Sequence, residues 1–319
     1  MTLHLGDLAK GLPYPVLVRL YHRHFLRKQA ELAAQFSQAT GLPDADTLKL
    51  SQHKSSDTVF ILGSGSSINQ ITDAQWKVIA QHDTIGFNFW PVHSFVPRIF
   101  VFESVVESRS KPIFDALLDL LHSRADAYAN TIKIVTELKR PGMKQLVTEL
   151  SGSFRENLYL GYTFPVVARS EEQLASGLKF LSAKGYFEPS DQMGRLFKYG
   201  GSVIGMISLA LRMNYRRIVL CGIDLGDQNY FYQDADKYPE SAHWEFVPRG
   251  NIHLTARRLP WMVPAQQVIY EFKQVVLDSR GVELFVQNSS STLYPKVPVL
   301  PEEFFLQKPI ADPIASMTE

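Results

Sequence analysis

Four short stretches of this chain carry the residue types that bind anions or move protons. The first is Gly63-Ser64-Gly65-Ser66-Ser67, directly after the apolar run 58–62. Glycines after a strand let the backbone come close to a ligand, and N–H groups ahead of a helix attract negative charge. Ile68 stands where the dinucleotide fingerprint has its third glycine, and no Gly-Lys-Ser/Thr follows, so neither nucleotide motif is complete. The second is Gly200-Gly201-Ser202-Val203, which opens a helix apolar almost all round; Ser202 is placed to cap that helix or to meet a ligand carboxylate. The third, Gly222-Ile223-Asp224, ends an apolar strand signal, where open α/β sheets hold ligands, and Asn229, Tyr230 and Tyr232 follow with amide and hydroxyl groups. The fourth is His253, ahead of a long helix, whose imidazole titrates near neutrality and can accept a proton from an attacking hydroxyl. Each has a structural alternative: a tight turn, an N-cap, a capped loop and a packed histidine. His243 competes with His253.

The elements that must position these groups alternate. Strand signals fall at 58–63, 84–88, 98–103, 132–137, 217–222 and 282–287; helix signals fall at 73–80, 109–124, 141–150, 171–184, 202–215 and 264–279. The stretch 155–169 reads as neither. Alternation of this kind predicts βαβ units and an α/β fold: a Rossmann-like parallel sheet flanked by helices. A helical N-terminal extension covers 1–54, the main domain 55–305 with a lid within about 226–262, and a C-terminal tail 306–319. Within the extension, 14–36 places Val16, Leu20 and Phe25 beside Arg19, Arg23, Arg27 and Lys28. One reading is a surface helix packed on the domain; the other is an amphipathic anchor on an anionic membrane face.

Composition narrows the rest. With 319 residues and 45% hydrophobic content the chain builds a sizeable core, and a net charge of +1 gives no general pull toward nucleic acid. Cys221 is the single cysteine, so intramolecular disulfides are excluded and thiolate metal sites are not expected, which suits a cytoplasmic location. No run approaches the length of a membrane span, and the N-terminus lacks the pattern of a signal peptide. Asp44-Ala45-Asp46 and Asp234-Ala235-Asp236 fit an Asp-x-Asp metal pattern, but neither follows a convincing strand, and both read as solvated loops.

Taken in order over roughly residues 57–291, these segments resemble the bacterial sialyltransferases of glycosyltransferase family 42. The closing strand Leu284-Phe285-Val286-Gln287-Asn288-Ser289-Ser290 belongs to the same resemblance. It implies a Rossmann-like domain with a lid, often a homo-oligomer, a CMP-activated nonulosonic acid as donor, no metal or other cofactor, and inversion at the anomeric carbon. It implies that Gly63, Ser64, Gly65, Ser66 and Ser67 approach CMP, that Asn88, Glu103, Gly222 and Asp224 contact the donor, and that Gly200, Gly201 and Ser202 hold the sugar carboxylate. Tyr230 and Tyr232 compete for the phosphate-binding role, and His253 falls at the general base. The acceptor would be a glycan or glycolipid of lipopolysaccharide or capsule, modified at the inner face of the membrane. The sequence departs from the family in Gly226 replacing a tyrosine, Glu103 replacing an amide, Lys198 standing near an arginine, and an insertion containing Pro260-Trp261-Met262-Val263-Pro264. Two rival expectations share the fold: a pterin pyrophosphokinase-like enzyme using ATP and magnesium, and a non-catalytic nucleotide-sugar-binding protein.

Overall fold

The computed structural model describes residues 14–103, 111–140, 142–190, 195–226, 229–242, 244, 254–257 and 262–306. Seven parallel strands form the central sheet: β1 (Thr58–Leu62), β2 (Asp83–Phe87), β3 (Ile99–Phe102), β4 (Ile132–Val135), β5 (Leu158–Leu160), β8 (Arg217–Cys221) and β9 (Glu283–Val286). Their spatial order is β5-β4-β3-β2-β1-β8-β9. A second, two-stranded sheet pairs β6 (Tyr162–Phe164) with β7 (Arg195–Phe197). The stretch 155–169, ambiguous in sequence, thus divides into two three-residue strands separated by Gly161.

Most strand positions are apolar because helices cover both faces of the sheet, although β2 carries Asp83 and Thr84 and β4 the buried Lys133. On β1 the pleat sends Val59 and Ile61 to one core and Phe60 and Leu62 to the other, and all four are fully buried. The helices are α1 (Tyr14–Thr40), α2 (Asp73–Ile79), α3 (Lys111–Ser123), α4 (Met143–Glu149), α5 (Glu171–Ala183), α6 (Ser202–Arg212), α7 (Ala265–Phe272) and α8 (Glu303–Leu306). The apolar helix α6 buries every residue from Val203 to Arg212, as its lack of a polar face requires. After α7 the helical path widens into a π turn over Lys273–Leu277, so the signal at 264–279 corresponds to one rod with changing pitch.

The extension packs as α1 against β6 and α5, with Phe25 half-buried against the core. Val18, His22, Gln29 and Ala33 are buried, whereas Val16 and Leu20 face solvent at 41% and 49% exposure. Among the described residues no helix is long and apolar enough to cross a membrane.

Candidate functional site

From β1 the chain turns to β2 on one side, while β8, hydrogen-bonded to the other edge of β1, passes to β9 on the far side. This reversal opens a crevice beyond the carboxyl ends of β1 and β8, where open α/β sheets bind ligands. A cavity of about 530 Å³ lies there. Ser64 and Gly65 wall it from the loop after β1, Gly222, Asp224 and Leu225 from the loop after β8, and Gly200, Gly201 and Ser202 from the start of α6. Asn88 and Phe89 enter from β2, Glu103 from β3, and Tyr230 and Tyr232 from the segment after β8. Three of the four stretches singled out in the sequence therefore converge. Gly63, Ser66 and Ser67 lie behind the wall and do not line it.

The first glycine turn is built differently from the expected anion cradle. It runs into a five-residue 3-10 turn, Ser66–Gln70; α2 begins only at Asp73, fixed there by a capping box between Thr72 and Gln75. The N–H groups that an anion would use are taken by the protein. Gly65 donates to the Gly222 carbonyl at 2.8 Å, Ser66 to the Asn229 carbonyl at 3.0 Å, and Ser67 to the Asp224 carboxylate at 3.0 Å. The Ser67 hydroxyl closes a second bond to Asp224 at 2.5 Å. Glycine is required at 65 because a Cβ there would lie 2.3 Å from Asp224 Oδ2 and 2.8 Å from the Gly222 carbonyl. This turn clasps the β1 and β8 loops together, and Asp224 serves the clasp while also bordering the cavity.

The clasp also sets the tyrosines. Gly65 and Tyr230 form an antiparallel bridge, with Phe231 N–H donating to the Ser64 carbonyl at 3.0 Å. The Tyr230 and Tyr232 rings stack with centroids 5.1 Å apart and planes 10° apart. Burial pushes both phenols above their ordinary range, with the Tyr230 charge adding to the effect at Tyr232. Both therefore stay protonated at neutral pH and can donate hydrogen bonds.

The cavity is also bordered, through Glu103, Arg140 and Lys198, by a cluster of two acids and two bases. The Glu103 carboxylate pairs with Lys198 and with Arg140 at 3.3 Å, and accepts a bond from the Ser202 hydroxyl at 3.3 Å. Lys198 also reaches Glu137 at 3.3 Å, and Thr163 donates to Glu137 at 2.7 Å. Burial works to raise the Glu137 pKa, but Lys198, the Thr163 hydroxyl and Arg140 together outweigh it and hold the carboxyl below its usual value. The start of α6, an eleven-residue helix whose first N–H groups have no intrahelical acceptor, thus already has a carboxylate beside it, that of Glu103.

Backbone strain concentrates here as well. Of the non-glycine residues with positive φ, Asn88 (57°) and Leu225 (56°) line the cavity and Glu137 (58°) belongs to the charged cluster. Leu225 is held by a bond from the Gln266 amide to its carbonyl at 3.2 Å. Such conformations persist where surrounding structure enforces them, commonly at binding sites.

Arg140, Phe89, Leu225, Thr255 and Met262 line the cavity without having been singled out as site residues. Arg140 was findable, since it follows the carboxyl end of β4. Thr255 comes from the 3-10 turn Leu254–Ala256 and Met262 from the stretch that reads as an insertion, neither of which had a residue type that marked it as a ligand. His253, His243 and part of the expected lid lie outside the described residues, as does the tail beyond 306. The two Asp-x-Asp stretches are elsewhere: Asp44 caps the turn Ala45–Thr47, and Asp234 accepts from the N–H groups of Asp236 and Lys237. Among the described residues, no three His, Cys, Asp or Glu side chains are grouped so that they could hold a metal ion. Compared with known proteins, the chain matches no protein-family model, and no curated protein matches it.

Proposed function

We propose that this chain is an inverting glycosyltransferase that moves a nonulosonic acid from its CMP ester to a hydroxyl of an acceptor glycan. The observation supporting this reading is the convergence of the β1 loop, the β8 loop and the start of α6 on one cavity, facing a stacked pair of neutral tyrosines. A volume of about 530 Å³ is in the range of small-molecule and cofactor sites.

In this reading the acceptor hydroxyl attacks the anomeric carbon while the bond from that carbon to the CMP oxygen breaks. His253, carried over from the family resemblance, takes the hydroxyl proton. Bond breaking runs ahead of attack, so negative charge grows on the departing phosphate, and the phenols of Tyr230 and Tyr232 donate to it. A monophosphate carries less charge than a diphosphate, which makes a divalent ion dispensable. The donor carboxylate goes to the start of α6, where Ser202 gives up Glu103, and Glu103 keeps Lys198 and Arg140 as partners.

The test is to incubate the protein with individual CMP-activated sugars, without added metal, and to measure free CMP. Release from a nonulosonic acid ester, accelerated by an acceptor glycan, is the expected result. Binding of CMP without turnover across an acceptor panel would replace the enzyme with a binding protein, and strict dependence on ATP and magnesium would replace it with a kinase.

A further inference from the structure

We propose that the outward face of α1 docks the chain onto an anionic lipid bilayer. This does not depend on the reaction proposed above. On α1, Val16, Arg19, Leu20, Arg23 and Arg27 recur at helical spacing and are all exposed, on the side opposite the buried Val18, His22, Gln29 and Ala33. Of the exposed large hydrophobic residues among those described, two of four, Val16 and Leu20, fall within this one turn. From 14 to 30 the sequence has four basic residues, Arg19, Arg23, Arg27 and Lys28, and no acidic one. The nearest acid, Glu31, pairs with Arg27 at 3.5 Å through two exposed side chains, a contact too solvated to neutralise the face.

Charge alone would suit any polyanion. Two aliphatic side chains projecting among the arginines favour a surface with a hydrocarbon interior, into which they insert while the guanidinium groups stay at the headgroups.

The experiment is co-sedimentation of the full chain with vesicles of phosphatidylcholine alone or mixed with phosphatidylglycerol. Binding is expected to the mixed vesicles only, weakening as salt rises. The triple variant Arg19→Gln, Arg23→Gln, Arg27→Gln should bind about a hundredfold more weakly, at roughly fivefold per basic residue. All three positions are exposed, and an unchanged thermal melt verifies the fold. Leu20→Ser should weaken vesicle binding while leaving retention on heparin unchanged. Wild-type chain that stays in the supernatant with mixed vesicles overturns the proposal, as does a triple variant that sediments normally. Leu20→Ser that binds vesicles as wild type does would mark the face as a site for soluble polyanions and also overturn it.

Discussion

Replacing Glu103 with glutamine should push stability and anion affinity in opposite directions. The side chain is 13% exposed and its partner Lys198 17%, so the pair sits in a largely dry environment. Removing one member of a buried pair costs about 3–5 kcal/mol when the remaining charge has no other partner. Here Lys198 keeps Glu137 at 3.3 Å, and glutamine retains the shape and an acceptor for Ser202. The expected loss is therefore lower, about 1–3 kcal/mol, read as a lower urea midpoint at constant slope. The same change removes the resident negative charge from the start of α6. An anion at a helix N-terminus gains roughly 1 kcal/mol, up to about 2 kcal/mol when partly buried. A CMP-activated nonulosonic acid should accordingly bind about five- to thirtyfold more tightly to Glu103→Gln, measured by calorimetric titration. A variant with wild-type stability would show that the ion pairs contribute nothing. One that binds the donor more weakly would show that Glu103 is itself a ligand group and that no carboxylate goes to this helix end.

Other substitutions separate the scaffold from the chemistry. Gly65→Ala forces a Cβ against Asp224 and the Gly222 carbonyl and breaks the clasp to Ser67; with charge-assisted bonds at stake the loss should be about 3 kcal/mol, visible in urea unfolding, with the Gly63→Ala comparison also destabilised through Ile223. Tyr230→Phe should leave the urea midpoint within about 1 kcal/mol of wild type but slow CMP release about a hundredfold if the phenol stabilises the leaving phosphate. His253→Ala should lower turnover by roughly two to four orders of magnitude with donor affinity unchanged, and near-normal turnover would remove it from the mechanism. Stability should also fall in mild acid. Burial lowers the His22 pKa to about 4, against 6.5 for the free side chain. Between these values the unfolded chain takes up a proton that the folded chain refuses, so stability is full above pH 6.5 and drops as pH falls toward 4, by about 3 kcal/mol. His22→Phe, which fits between Phe164 and Tyr186, should flatten part of this slope; His93, lowered to about 4 by burial, Arg124 and Lys237, should account for a further part.

The parallel sheet was legible because its cause is local. A strand covered on both faces is apolar along most of its length, and Val59 to Leu62 and Ile218 to Cys221 read that way without reference to anything distant in the chain. The rule that ligands gather at the carboxyl ends of such strands pointed to Asp224, and the family resemblance to Asn88 and Glu103; all three line the cavity. What stayed hidden depends on partners far away in sequence. The face that α1 buries is set by β6 and α5, elements more than a hundred residues later, and of the apolar positions Val16, Leu20 and Phe25 only Phe25 packs on the core. Ser202 was recognisable as a cap or an anion ligand, but that Glu103 already occupies it, 99 residues earlier in the chain, was not. The glycine turn after β1 makes the same point most sharply. A glycine there signals that something approaches the backbone too closely for a Cβ, and at Gly65 what approaches is Asp224 and the Gly222 carbonyl. Conformational permissiveness is a property of the residue, whereas the identity of the approaching group is a property of the fold. The turn therefore shapes the cavity by joining its walls.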